Sequence, residues 1–158
     1  MKYLQVIVKG YGPPENMHKD SEISVPLSTT IFQLKKMKIL CGGKTSGDET
    51  PCFATDKFTL GHKGRELCDE ETLASIYTPG ENLVLQFHTF TFTIKEQYGR
   101  WEFPFTAKVE DIEDRNKYDK IIKAHLYLTK DISPERVHSL SYGWPNYYPH
   151  QTVNVTHN

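Results

Sequence analysis

The side chains that could do covalent chemistry in this chain are its three cysteines and seven histidines. Cys41, Cys52 and Cys68 follow no metal-ligand spacing and read as reduced thiols. Cys52, in Pro51-Cys52-Phe53, has the form of a nucleophile. A thiol attacks only where an adjacent base or a lowered pKa supplies the thiolate, and no paired base is identifiable for it. His62, His88, His125, His138, His150 and His157 lack the His-x-x-x-His spacing that sets two imidazoles on one helix face. The run Lys35, Lys36, Lys38 reads as the solvated face of a helix, open to modification as any exposed lysine is. No constellation supports catalysis. The expectation is a protein that is not an enzyme and carries no metal or cofactor.

Composition narrows the partners. The chain has 158 residues, room for one domain or two small ones, and a formal net charge of -1. Balanced charge argues against a nucleic-acid binder, which needs a basic footprint. With 37% hydrophobic and 25% charged residues, the chain has the makeup of a folded protein. No apolar run is long enough to span a bilayer, and Met1-Lys2-Tyr3-Leu4-Gln5 has no signal-peptide core. A cytoplasmic protein is therefore expected, without membrane or nucleic-acid partners. On that expectation the sequon Asn154-Val155-Thr156 is incidental.

The elements that would position these side chains follow from periodicity. Tyr3 to Val8 alternates as a strand does, and Gly10-Tyr11-Gly12-Pro13-Pro14 interrupts it. Glu22 to Leu27 has the same period, with Ile23, Val25 and Leu27 on one face. Ser28-Thr29-Thr30 offers an N-cap for a helix from Ile31 to Lys38, with a stripe of Ile31, Leu34, Met37 and Cys41. Gly42-Gly43 suits its left-handed end. A polar stretch, Lys44 to Asp56, leads to a strand at Phe58-Thr59-Leu60, and Leu83 to Phe87 closes the series.

Between those last strands lies Gly64-Arg65-Glu66-Leu67-Cys68-Asp69-Glu70-Glu71-Thr72-Leu73. Position for position it resembles the Gly-Lys-Gln-Leu-Glu-Asp-Gly-Arg-Thr-Leu segment of ubiquitin. The resemblance implies a β-grasp fold, with Leu67 buried on a strand and Thr72-Leu73 plugging the space under the last strand. Ser28 to Lys35 also resembles the start of the helix in ubiquitin-like units.

The remainder restarts the pattern. Phe90 to Ile94 alternates, Gln97-Tyr98-Gly99-Arg100 turns, and Trp101 to Val109 alternates again, which predicts a hairpin. The acidic run Glu110 to Asp114 suits a helix start, and Tyr118, Ile121, Ile122, His125 and Leu128 fall at helical spacing. Ala124, Leu126 and Leu128 also alternate like a strand, so both readings stand on periodicity alone. Thr129 to Val137 resembles the segment that follows ubiquitin's helix, with one gap, and Ser139 to Gly143 stands where ubiquitin has its third strand. After Gly143 the family pattern is lost, and Gln151 to Thr156 reads as a last strand reached by a shortened connection. The expected fold is α+β, two consecutive β-grasp domains at residues 1–88 and 89–158, the second shortened. Gln86-Phe87-His88-Thr89 leaves no spacer between them, so a restricted mutual orientation is expected.

Two such units resemble tandem ubiquitin-like modifiers, the interferon-stimulated two-domain modifier and its bacterial anti-phage counterparts. What the resemblance implies is conjugation: an activating enzyme adenylates the C-terminus and a carrier enzyme passes it to a target amine. Ubiquitin's apolar patch is replaced by Gly61 and Gln86 in the first unit and by Leu140 and Thr156 in the second. Leu140 becomes core if the register slips by one residue. Tyr142, Trp144, Tyr147 and Tyr148, interleaved with Pro145 and Pro149, are either a binding surface or a plug for the second core. Conjugation needs a flexible tail ending in Gly-Gly, whereas the sequence here runs Val155-Thr156-His157-Asn158. His157 and Asn158 are the expected base of such a tail. The alternative is a non-conjugated adaptor that binds partner proteins through Leu140 and the aromatic segment.

Overall fold

A computed structural model describes residues 2–10, 20–37, 56–141 and 152–158. Strand β1 (Tyr3–Val8) pairs antiparallel with β2 (Ser21–Pro26), so that Leu4 lies beside Val25 and Val6 beside Ile23. Helix α1 (Ile31–Lys35) starts in a capping box: the Thr30 hydroxyl accepts from the Gln33 N–H, and the Gln33 side chain accepts from the Thr30 N–H. Ile31, Leu34 and Lys35 form its buried stripe at positions i, i+3 and i+4. Cys41, Lys38, Gly42, Gly43 and Cys52 lie outside the described residues.

Strands β3 (Phe58–His62) and β4 (Arg65–Glu66) are joined by Lys63 and Gly64, both at positive φ (51° and 82°). Two consecutive left-handed residues match the twist of a two-residue hairpin. In the following segment Leu67 lies just past the end of β4 rather than on a strand. Leu67 and Leu73 are buried, and Thr72 forms a bridge with Thr30 at the start of α1. Leu73 N–H donates to Thr29 O at 2.9 Å, and Ile31 N–H donates to Glu71 O at 2.8 Å. Leu73 also opens the short helix α2 (Leu73–Ile76).

Strand β5 (Leu83–Glu96) runs unbroken for 14 residues. β1 pairs with its first part in parallel and β3 pairs antiparallel across positions 86–90. β6 (Glu102–Lys108) pairs antiparallel with positions 89–95, and β8 (Thr152–His157) in parallel with positions 93–96. β7 (Val137–Ser141) completes the sheet against β8. The order is β2-β1-β5-β3-β4 around the first part of β5 and β6-β5-β8-β7 around the second. This is a mixed eight-stranded sheet in an α+β fold, and its strand order is compatible with a β-grasp.

Periodicity left the helix of the second half ambiguous, and packing resolves it. The acidic run forms a short helix α3 (Val109–Ile112), and Asp114 caps α4 (Arg115–Lys130) by accepting from the Asn116 and Lys117 N–H groups. Tyr118, Ile122 and Leu126 are buried on α4, whereas Ala124 and Leu128 face solvent, Leu128 at 80% exposure. Asp131 ends the helix in the left-handed region (φ 55°). A 3₁₀ turn at Pro134–Arg136 then leads into β7.

One expectation needs correction. Lys35 is not on a solvated face: its side chain is 4% exposed, its Nζ is 3.0 Å from Asp69 Oδ1, and it sits 5.0 Å above the Phe58 ring. Helical geometry sets it beside Ile31, on the side of α1 that meets the sheet. Lys36 is exposed, as expected.

Candidate functional site

The face of the sheet away from the helices follows from β5's alternation. Leu83, Leu85 and Phe87, then Phe90, Phe92 and Ile94, point into the core. Their neighbours Thr89, Thr91 and Thr93 therefore point outward. Thr59 Oγ1 and Thr89 Oγ1 are 2.7 Å apart, and Thr91 Oγ1 and Thr106 Oγ1 are 2.9 Å apart. Thr152 beside Thr93 and Thr156 beside Ser139 extend the same surface. Gly61 and Gln86 are directly paired on it, and a side chain added at Gly61 would meet His88 Nδ1 at 3.1 Å. Hydroxyl and amide groups thus occupy this face of the sheet.

Leu140 and Thr156 do not share that face. Leu140 pairs with Val155, which is fully buried, and residues directly opposite on antiparallel strands project to one side. Leu140 accordingly packs against the core, and Thr156 projects the other way. The register puts the pair on opposite sides, so they cannot form a single patch. Tyr142, Trp144, Tyr147 and Tyr148 lie outside the described residues.

His157 and Asn158 are not loose. His157 ends β8, and its side chain is only 9% exposed. Its backbone oxygen accepts from Gln97 Nε2 at 3.1 Å, and its Nε2 lies 3.0 Å from Glu96 Oε2. Asn158 N–H donates to Arg136 O at 3.0 Å, its backbone oxygen accepts from Arg136 Nη2 at 3.3 Å, and its side-chain oxygen meets His138. Glu96, the last residue of β5, anchors this group. It is 1% exposed and accepts from Arg100 Nε at 2.7 and 2.9 Å and from Arg100 N–H at 3.1 Å. The side-chain hydrogen bonds from Arg100, helped by His157, hold the Glu96 carboxyl down at about 2 despite the opposing effect of burial. Buried carboxylates need this kind of pairing.

An aromatic strip flanks the cluster. Trp101 stacks on Phe103 at 5.8 Å and lies 6.1 Å from His157. His125 of α4 contacts both Phe103 and Phe105, and Lys130 Nζ sits 5.5 Å from Trp101 and 5.4 Å from Phe103. All three aromatics are half-buried, because β6 is paired on only one side among the described residues and α4 covers them in part. Sequence reasoning read Trp101, Phe103 and Phe105 only as one face of a strand. Lys130, 29 positions away from Trp101, gave no signal that it would cap them.

A cleft of about 380 Å³ opens where β1 and β6 leave the same edge of β5, between Lys9, Lys108, Glu110 and Glu113 over Phe87 and His88. Burial, then repulsion from Glu110, pushes the Glu113 carboxyl up. Among the described residues, no Ser, Thr or Cys lines it. Among the described residues, no group of three or more His, Cys, Asp or Glu is placed to hold a metal ion, and no helix is long and apolar enough to cross a membrane. No protein-family model matches this chain, and no curated protein matches it.

Proposed function

We propose that the chain is a tandem ubiquitin-like protein, with two β-grasp units at residues 1–88 and 89–158 fused through β5, and that it acts as a protein modifier. The observation that carries this reading is the repeated strand order. A hairpin, a helix, and a last strand parallel to the first occur in each half, and β5 serves as last strand of one and first strand of the other. The sequence resemblance of Gly64 to Leu73 to ubiquitin supports the same reading. Modification would run through an activating and a carrier enzyme, with a tail that follows Asn158 supplying the reactive carboxylate.

The test is covalent attachment. Native cells lysed under denaturing, reducing conditions should yield species larger than their unmodified targets by at least this chain's 18.3 kDa. Recovery of the free chain alone would remove the modifier reading.

One observation favours a second reading, a non-conjugated adaptor. The strip of Trp101, Phe103 and Phe105 with Lys130 above it combines aromatic area and a cation at the surface, a makeup enriched in binding hot spots. If the chain is an adaptor, Trp101→Ala and Trp144→Ala should be compared for partner retention under native conditions, where no covalent adduct is needed. A partner held equally by both variants would count against the reading.

A further inference from the structure

The two ring nitrogens of His157 face two oxygens that can only accept. Nε2 lies 3.0 Å from the carboxylate of Glu96, and Nδ1 lies 3.0 Å from the backbone oxygen of Asn158. A neutral imidazole has one N–H and satisfies one of them; the imidazolium has two and satisfies both. We propose that His157 is a proton-operated latch on the end of β8, closed onto Glu96 and Asn158 when the ring is charged and released from one of them when it is neutral.

Charged and titratable groups reach the site from every neighbouring element. Glu96 comes from β5 and Arg100 from the turn after it, and their ion pair keeps the acceptor ionised while an imidazole titrates. Arg136 from the 3₁₀ turn and His138 from β7 both hold Asn158. Lys130 from α4 lies over Trp101, whose ring neighbours His157. Arg100, Arg136 and Lys130 bring positive charge to the neighbourhood of His157, and the two groups its ring nitrogens contact, the Glu96 carboxylate and the Asn158 oxygen, are both acceptors.

The latch differs from an ordinary surface ion pair in what it restrains. Asn158 has no place in the β5 or β7 ladders and is fixed by Arg136, His138 and His157. The ionised Glu96 is the stronger acceptor, so the neutral ring keeps its N–H on Nε2, and loss of the Nδ1 contact leaves Asn158 on two of its three supports.

The experiment is an NMR titration of the full chain from about pH 5 to about pH 8, the span over which histidine changes charge. The His157 ring signals report protonation, and the protection of the Asn158 amide, corrected for intrinsic exchange, reports the latch. Protection should fall about tenfold as the His157 signals move, the size expected for losing one charge-assisted hydrogen bond. His157→Gln should abolish that step, and His138→Gln should leave it in place. Constant Asn158 protection through the His157 titration would overturn the proposal. So would a step that disappears in His138→Gln but survives in His157→Gln. The wild-type titration decides the first point even if a variant fails to fold.

Discussion

Phe87 and Phe90 lie on the same face of one strand, their rings stacked 5.3 Å apart, although three positions separate them. Strict alternation would place them on opposite faces. The register explains the exception: Leu60 faces Phe87 and Thr59 faces Thr89, so His88 is an extra residue without a partner on β3. That one bulge keeps Phe90, Phe92 and Ile94 on the core side with Leu83, Leu85 and Phe87. Aromatic contacts then run from Phe58 through Phe87, Phe90 and Phe92 to Tyr118 of α4. The buried residues of both halves form one cluster.

Deleting His88 should therefore do far more than replacing it. Without the extra residue the second part of β5 turns its apolar set to solvent. The deletion should abolish the native near-ultraviolet signal of Trp101, whereas His88→Ala, which keeps the bulge, should retain it. A native spectrum from the deletion would show that the bulge does not set the face.

A shared core should melt as one. Phe92→Ala removes a ring that is 1% exposed, and should cost about 3–5 kcal/mol. Urea unfolding followed at Trp101 and, separately, by fluorine-labelled Phe58 should give coincident transitions in both wild type and variant. Separated midpoints would mean that the halves fold independently. The same continuity predicts a single rotational correlation time for residues on either side of β5, and two distinct alignment tensors would contradict it.

Glu96 should make the fold acid-sensitive. Its carboxyl titrates at about 2 when folded, against 4.5 as the ordinary value, so the folded state binds the proton less tightly than the unfolded chain does. The stabilisation it gives is complete above about 4.5 and is lost as pH falls from there towards 2. Thermal midpoints of wild type should drop across that interval more steeply than those of Glu96→Gln. Parallel curves would assign acid sensitivity elsewhere.

The lysines of α1 should differ sharply in reactivity. Lys35 is paired with Asp69 and sits over the Phe58 ring, and Lys36 is exposed. Brief treatment with an amine-reactive reagent, read by mass spectrometry, should modify Lys36 and spare Lys35. Asp69→Asn leaves the Lys35 charge without its carboxylate partner, and because Asp69 is partly exposed should destabilise the fold by about 1 kcal/mol. Equal labelling of both lysines would refute the buried placement.

Much of this architecture is local and therefore legible in the residues. Alternation in Tyr3–Val8 and Trp101 to Val109 marks strands, Thr30 and Gln33 mark a capped helix start, and Leu67 and Leu73 mark buried anchors. Each depends on neighbours within a few positions, where chain geometry alone fixes which side chains meet. Other features depend on pairing between distant segments. Lys35 looked like one of a solvated run until Asp69 and Phe58 were brought to it. Leu140 and Thr156 looked like one patch until the β7–β8 register set them on opposite faces, because a shift of one residue inverts every side chain of a strand. The Glu96–His157 contact spans 61 positions, and nothing near either residue foretells it. Sequence determined the alternating strands, the capped start of α1 and the apolar anchors Leu67 and Leu73. Only tertiary structure decided which charges are buried and which residues face outward, since both follow from long-range register.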